Sequence, residues 1–229
     1  MNLPAYAHYK PSGIEWLGDI PAHWGVSRLK YCVANIFSGG TPESGNDEYW
    51  AWDDDEGIPW VAIADMTRSP VVTNTDRRIT RAGLASKRLQ ILPAGTLLYS
   101  MYASLGKVAT LRVAATMNQA ILGIVPDERR VVQAFLRCWL QHIEAHLEQF
   151  SSSNTQDNLN AGKVRAMPLF LPDVPEQRLI ADFLDRETVK LDALVAKVKA
   201  AIERLQEYRA ALITAAVTGK IDVRGEVDP

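Results

Sequence analysis

The stretch EQRLIADFLDRETVKLDALVAKVKAAIERLQEYRAALITAAVT, residues 176 to 218, runs for 43 residues without a glycine or a proline. A heptad stripe of Leu184, Leu191, Val198, Leu205 and Leu212 passes through it. Three positions further on lie Leu194, Ala201, Tyr208 and Ala215, with Val195 and Ile202 beside them, so the apolar face is an a/d seam widened on one side. The spacing predicts one helix about 65 Å long at roughly 1.5 Å per residue, far beyond the ~11 residues of an ordinary globular helix. Such a helix cannot bury its own stripe, and no other segment of the chain matches it in length and period. The seam residues Leu184, Leu191, Leu194, Val198, Ile202, Leu205, Tyr208 and Leu212 are therefore expected to meet a helix of another chain, in the first instance a second copy.

Working outward from this helix, MPLFLPDVPEQ at 167 to 177 uses three prolines to change direction. Pro175 and Glu176 suit a first helical turn, with Asp173 or Val174 just ahead. Residues 129 to 149 read as an amphipathic helix through Val132, Phe135, Leu136, Trp139, Leu140, Ile143 and Leu147, and SSSNTQDNLNAG at 151 to 162 as a polar loop. Further upstream the texture is β: SGGTP at 38 to 42, IPWVAIADM at 58 to 66, VVT at 71 to 73, QILPAGTLLYSMYA at 90 to 103, GKVATLRVA at 106 to 114 and QAILGIVP at 119 to 126. Between them Ile79 to Leu89 has helical spacing. Residues 11 to 31 read as a helical turn and an extended lead-in, with Ser12 as N-cap. The expected fold class is α+β: an N-terminal segment at 1–24, a strand-rich globular domain at 25–172, and one long C-terminal coiled-coil helix with its tail at 173–229.

With 229 residues, 47% apolar and 23% charged, the composition is that of a soluble globular protein. No run of about 18 uncharged apolar residues occurs, and the start MNLPAYAHYKPSG lacks the regions of a signal peptide, so no membrane partner and a cytoplasmic location are expected. Cys32 and Cys138 form no C-x-x-C and read as reduced thiols. The net charge of -2 conceals an uneven distribution. Residues 43 to 56 carry acids and no base, whereas 57 to 130 carry ten basic residues against four acidic ones, which allows a basic face inside a neutral protein.

Signatures of catalysis and of cofactors are missing. There is no Walker lysine loop, no G-x-G-x-x-G, no H-E-x-x-H and no lysine with an acid two residues before it. His142 and His146 stand four apart but lack a third ligand, so no metal is expected. Ser104 and Lys107 satisfy S-x-x-K without its companion motifs and read as a loop between strands. The residues describe a binder, with a small enzyme using Ser104 and Lys107 as the opposing reading.

Several stretches, in their order, resemble the specificity subunit of type I restriction-modification systems: YKPSGIEWLGDIPAHW, FSGGTP, LPAGTLLYSMYASLGKVATL, TMNQAILGI, PLFLPDVPEQRLIADFLD and LITAAVTGKIDVRG. The resemblance spans nearly the whole chain. It implies that the globular part is a target-recognition domain for double-stranded DNA and that the long helix is the family's spacer. It also implies partners, namely DNA methyltransferase (modification) subunits and, in restriction assemblies, motor subunits, with no chemistry performed by the chain itself. The usual subunit has two recognition domains and two spacer helices, and this chain has one of each. Its residues 11 to 31 look like a family N-terminus and 212 to 225 like a family C-terminus, so a half-size subunit is expected to pair antiparallel with a second copy as a homodimer, the opposing reading of the stripe being a bundle with the modification subunits alone. The alternative is a protein-protein scaffold of such a complex without DNA specificity of its own.

Base readout needs donors and acceptors on loops that enter a groove, while affinity comes largely from Lys and Arg at phosphates. Four segments qualify. Thr41, Ser44 and Asn46 follow the Gly39-Gly40 turn; Tyr102, Ser104 and Lys107 form a tight strand connection; Thr155, Gln156 and Asn158, with Lys163 just beyond, lie in the polar loop; Thr67 and Arg68 follow VAIADM. The opposing reading is that such residues gather in loops because turns favour them.

Overall fold

The computed structural model describes residues 3–51, 57–102, 104–144, 146–147 and 159–225. An antiparallel hairpin of β1 (Tyr9–Pro11) and β2 (Asp19–Pro21) opens it, around a 3-10 turn at Glu15–Leu17. Ser12 does not cap a helix there. Its hydroxyl accepts from Ile14 N at 3.1 Å, a local turn that competes with helix. β3 (Gly25–Arg28) pairs antiparallel with β13 (Pro168–Leu171), so the proline-rich segment before the long helix is itself a strand, with Pro168 tolerated as its first residue.

The centre is a five-stranded sheet in the order β4 (Val33–Ser38), β12 (Ile121–Pro126), β9 (Leu97–Ser100), β10 (Val108–Leu111) and β7 (Val71–Val72). All neighbours are antiparallel except β7, which runs parallel to β10. β9 and β10 are buried throughout, and the period-2 pleat sends alternate residues to two cores. Leu97, Tyr99, Val108, Leu122 and Ile124 meet Phe135, Leu136, Leu140 and Ile143 of helix α3 (Gln133–Glu144). On the other face Leu98, Ala109, Leu111 and Ile121 meet Val61, Met66, Val72, Leu92 and Met117. A second, four-stranded sheet has the order β11 (Thr116–Met117), β6 (Ile58–Val61), β8 (Arg77–Ile79) and β5 (Trp50–Ala51), over a small core of Trp50, Trp60, Ile79 and Leu89.

Two apolar runs divide differently from their reading as single elements. IPWVAIADM is strand only to Val61 and then becomes helix α1 (Ile63–Arg68), because Asp65 turns back to accept from Ala62 N at 2.9 Å. Ile79 is the last residue of β8, and Thr80 then caps helix α2 (Arg81–Ser86) by accepting from Gly83 N at 3.1 Å. Helix α4 (Ala161–Ala166) is capped by Asn160, which accepts from Lys163 N at 3.0 Å.

The long helix is α5 (Val174–Val217), 44 residues. Asp173 caps it, its carboxylate accepting from Glu176 N at 2.8 Å and its carbonyl from Gln177 N at 2.9 Å. The chain divides into two compact units, one through Ala181 and one from Asp182 onward. Within the second unit Leu191, Leu194, Val198, Ile202, Leu205, Tyr208 and Leu212 are exposed, Leu205 at 67%. Leu184 is half-buried. The fold is the expected strand-rich domain followed by one long C-terminal helix, and among the described residues no helix is long and apolar enough to cross a membrane.

Candidate nucleic-acid interface

Strand order brings distant loops to one end of the five-stranded sheet. Leu122 lies opposite Ser38, Ile121 opposite Ser100, and Val108 opposite Tyr99. The chain leaving β4 (Thr41, Ser44, Asn46), the chain leaving β9 (Tyr102, Ser104), the chain entering β10 (Lys107) and the chain entering β12 (Gln119) therefore all stand at that end. Because β7 is parallel to β10, with Val71 opposite Thr110, the residues ahead of it, Thr67 and Arg68, approach from the same side.

The loop after β4 is held rigidly. Gly39 N donates to Ile121 O at 3.1 Å and Gly40 N to Met117 O at 2.9 Å. A Cβ on Gly39 would come within 1.9 Å of Asn118 O, so only glycine allows the two loops to meet. The indole N–H groups of Trp60 and Trp50 donate to Gly40 O at 2.9 Å and to Glu43 O at 3.1 Å. Thr41 donates its hydroxyl to Gln119 Oε1, and the exposed Gln119 amide joins this edge with no signal in the sequence to mark it. Ser44 is exposed. Asn46 is occupied locally, accepting from Glu48 N at 3.0 Å to cap the 3-10 turn at Asp47–Tyr49.

The connection between β9 and β10 is equally fixed. Ser104 and Gly106 are left-handed, at φ of 64° and 79°, Gly106 N donates to Ser100 O at 2.9 Å, and the Ser100 hydroxyl donates to Ser104 O. Tyr102 and Leu105 are left exposed at 41% and 42%. Lys107 Nζ stands 2.5 Å from Glu144 Oε1 of α3, forming an ion pair with it. The Thr67 hydroxyl donates back to Ala64 O at 3.2 Å. Arg68 grips both oxygens of Asp76, Nη1 at 2.8 Å from Oδ1, and this fork of hydrogen bonds holds the Asp76 carboxyl below the usual carboxylate range. Lys163 stands on α4, which packs against the 3-10 turn Leu29–Tyr31 ahead of β4, at the other end of that strand. Thr155, Gln156 and Asn158 lie outside the described residues.

Of the basic surplus between 57 and 130, Arg68 is paired with Asp76, Lys107 with Glu144 and Arg129 with Asp127. Lys87 and Arg88 are exposed, and Lys87 packs its stem beside Gly40. The rings of His142 and His146 lie 4.5 Å apart with Trp16 stacked on both, and burial, then His146, lowers the His142 pKa. That is an aromatic stack. Among the described residues no three His, Cys, Asp or Glu side chains gather in a way that could hold a metal ion.

The sequence model of the type I restriction modification DNA specificity domain matches residues 21–204. The MjaIX specificity subunit of Methanocaldococcus jannaschii is 28% identical over 73% of this chain and 38% of its own length. The EcoR124I/EcoR124II specificity subunit of Escherichia coli is 24% identical over 88% of this chain and 46% of its own. The chain thus spans less than half the length of these curated relatives. Among solved structures, a chain from work on complex assembly and conformational transition of the type I R-M system superposes with a TM-score of 0.70, at 21% identity over 87% of this chain and 47% of that one. The HsdS subunit from Thermoanaerobacter tengcongensis gives 0.61, at 21% identity over 77% and 40%. The fold is shared with these structures, and the match over residues 21–204 places the chain in the family of type I restriction-modification specificity subunits.

Proposed function

We propose that this chain is the non-catalytic DNA sequence-recognition subunit of a type I restriction-modification complex, with residues 25–172 as its reading domain. The observation that carries this is the convergence, at one end of one sheet, of loops bearing Thr41, Tyr102, Lys107 and Gln119 and of helix α1 bearing Thr67. These donors and acceptors and the Lys107 cation sit on short, hydrogen-bonded segments, which is what base-edge readout with phosphate positioning requires. Lys107 exchanges Glu144 for a phosphate on binding, and Gln119 and Thr41 face base edges. The helix from Asp182 to Val217 pairs antiparallel with that of a second copy, and the paired helices carry the modification subunits and, where present, the motor subunits. Two copies then read a bipartite palindromic site. The test is expression with modification subunits and genome-wide mapping of methylated bases. A single bipartite palindromic motif is expected, lost on deletion of this chain. Unchanged methylation without it would overturn the proposal.

A further inference from the structure

β8 begins at Arg77, whose guanidinium lies 3.5 Å from the Trp50 ring centroid and 5.4 Å from that of Trp60. Both rings are buried and meet edge to face at 5.2 Å, and their N–H groups hold the 40–43 loop. The same two side chains therefore set the plane of this guanidinium and the position of the loop. Neighbouring arginines are occupied, Arg68 by Asp76, and Arg78 by Gly57 O at 3.0 Å and Asn74. Arg77 is exposed, and its guanidinium makes no hydrogen bond or ion pair among the described residues, while its carbonyl accepts from the Thr75 hydroxyl at 2.8 Å. Its register places it at the interface end. Arg77 and Thr116 both lie opposite Trp60, and two residues beyond Thr116 the chain leaves the second sheet toward Gln119.

An arginine stacked on one face with its N–H edge open has lost its rotamer freedom before any ligand arrives, and it can lay two parallel N–H groups on a pair of acceptors. We propose that Arg77 is a DNA-contacting fork of this chain, taking either the N7/O6 edge of a guanine or two oxygens of one phosphate. This rests on the reading of the loop edge as a DNA interface. Lysine cannot substitute at such a fork, since it carries the charge but neither the plane nor the paired donors.

The experiment uses the complete complex with modification subunits and fluorescence anisotropy on cognate and scrambled duplexes at three salt concentrations. Preference of the unmodified complex for cognate DNA tests the underlying reading; only if that preference is present do the Arg77 variants speak to this inference. A guanine contact predicts that Arg77→Lys weakens cognate binding about tenfold with little change in salt slope. It also predicts that replacing the contacted guanine by 7-deazaguanine weakens the unmodified complex and not Arg77→Ala. A phosphate contact predicts that Arg77→Ala weakens both duplexes alike and lowers the salt slope by about one. Tryptophan emission follows folding, and Arg77→Lys, which keeps a stem over Trp50, carries the test if alanine loosens the domain. Arg77→Ala and Arg77→Lys complexes that bind both duplexes as the unmodified complex does at every salt concentration would overturn the inference.

Discussion

Gln177 is fully buried at the first turn of α5, and each of its polar atoms is used. Its Oε1 accepts from Val132 N at 2.8 Å, and its Nε2 donates to Arg130 O and Pro172 O, both at 3.0 Å. Gln177→Leu leaves one N–H and two carbonyls unpaired, and at about 1–3 kcal/mol per orphan it is expected to cost at least 2 kcal/mol of stability in denaturant unfolding. Tyr99 is the opposite case. Burial pushes its hydroxyl pKa up, and Tyr99 Oη has no hydrogen-bond partner among the described residues. Tyr99→Phe is expected to be neutral or to stabilise by about 1 kcal/mol, and a clear loss would reveal a hidden partner. Next to Gln177, Glu176 accepts from Tyr6 Oη at 2.8 Å and Trp24 Nε1 at 3.2 Å and lies 3.0 Å from His23 Nε2. Burial pushes the Tyr6 pKa up to about 12, with Glu176 adding to it. Burial alone would raise Glu176, but the hydrogen bonds from Tyr6, His23 and Trp24 outweigh it and hold the carboxyl below the usual range. A raised tyrosine contributes fully below its unfolded pKa of about 10 and is lost as pH climbs toward 12; a depressed carboxylate contributes above about 4.3 and is lost as pH falls past its folded value. Residues 3–9 should therefore resist proteolysis between those limits and loosen beyond either, and Tyr6→Phe should abolish the alkaline step and, by removing one of the hydrogen bonds that depress Glu176, shrink the acid step without abolishing it.

At the scale of elements, the seam of α5 would decide the proposed self-pairing. Leu191 and Leu205 are 60% and 67% exposed in the single chain. With a second helix over them, Leu191→Glu or Leu205→Glu would bury an unpaired charge at a cost of about 3–5 kcal/mol. Light scattering is expected to show at least a dimer for the unmodified chain and a shift to monomer for each variant; a clean monomer of the unmodified chain at micromolar concentration would refute self-pairing. This helix was legible in the sequence because its period repeats over some twelve turns. β5, β7 and β11 are two residues each, too short to display a period, and their existence depends on partners 27 to 56 positions away in the chain. α1 was hidden inside an apolar run that strand and helix share, and only the buried Asp65, bound also by Asp76 N at 3.3 Å, distinguishes them. The loops of Thr41, Thr67 and Tyr102 were marked by their turn chemistry. Gln119 and Arg77 were not, because their settings are made by Thr41 and by two tryptophans from other strands.

For the whole molecule, the proposed pairing about a two-fold axis would make two reading domains equivalent and invert one with respect to the other. The methylated target is expected to be an interrupted palindrome with a degenerate spacer, and mapping that returned an asymmetric bipartite motif, with this chain as the sole specificity protein, would exclude the symmetric pair. One further consequence follows from the pairing of β3 with β13. Arg28 lies opposite Pro168, and Leu29 N donates to Met167 O at 2.9 Å, so the chain enters and leaves the reading domain through the same doorway. Everything between those residues is an excursion whose two ends meet as neighbouring strands, tied to the first turn of the long helix through Val132 N and Arg130 O at Gln177. If the globular domain reads DNA as proposed, an excursion of different length and lettering that kept those ties would fit between the same flanking strands, and the recognised sequence would be an exchangeable cartridge in an unchanged holder.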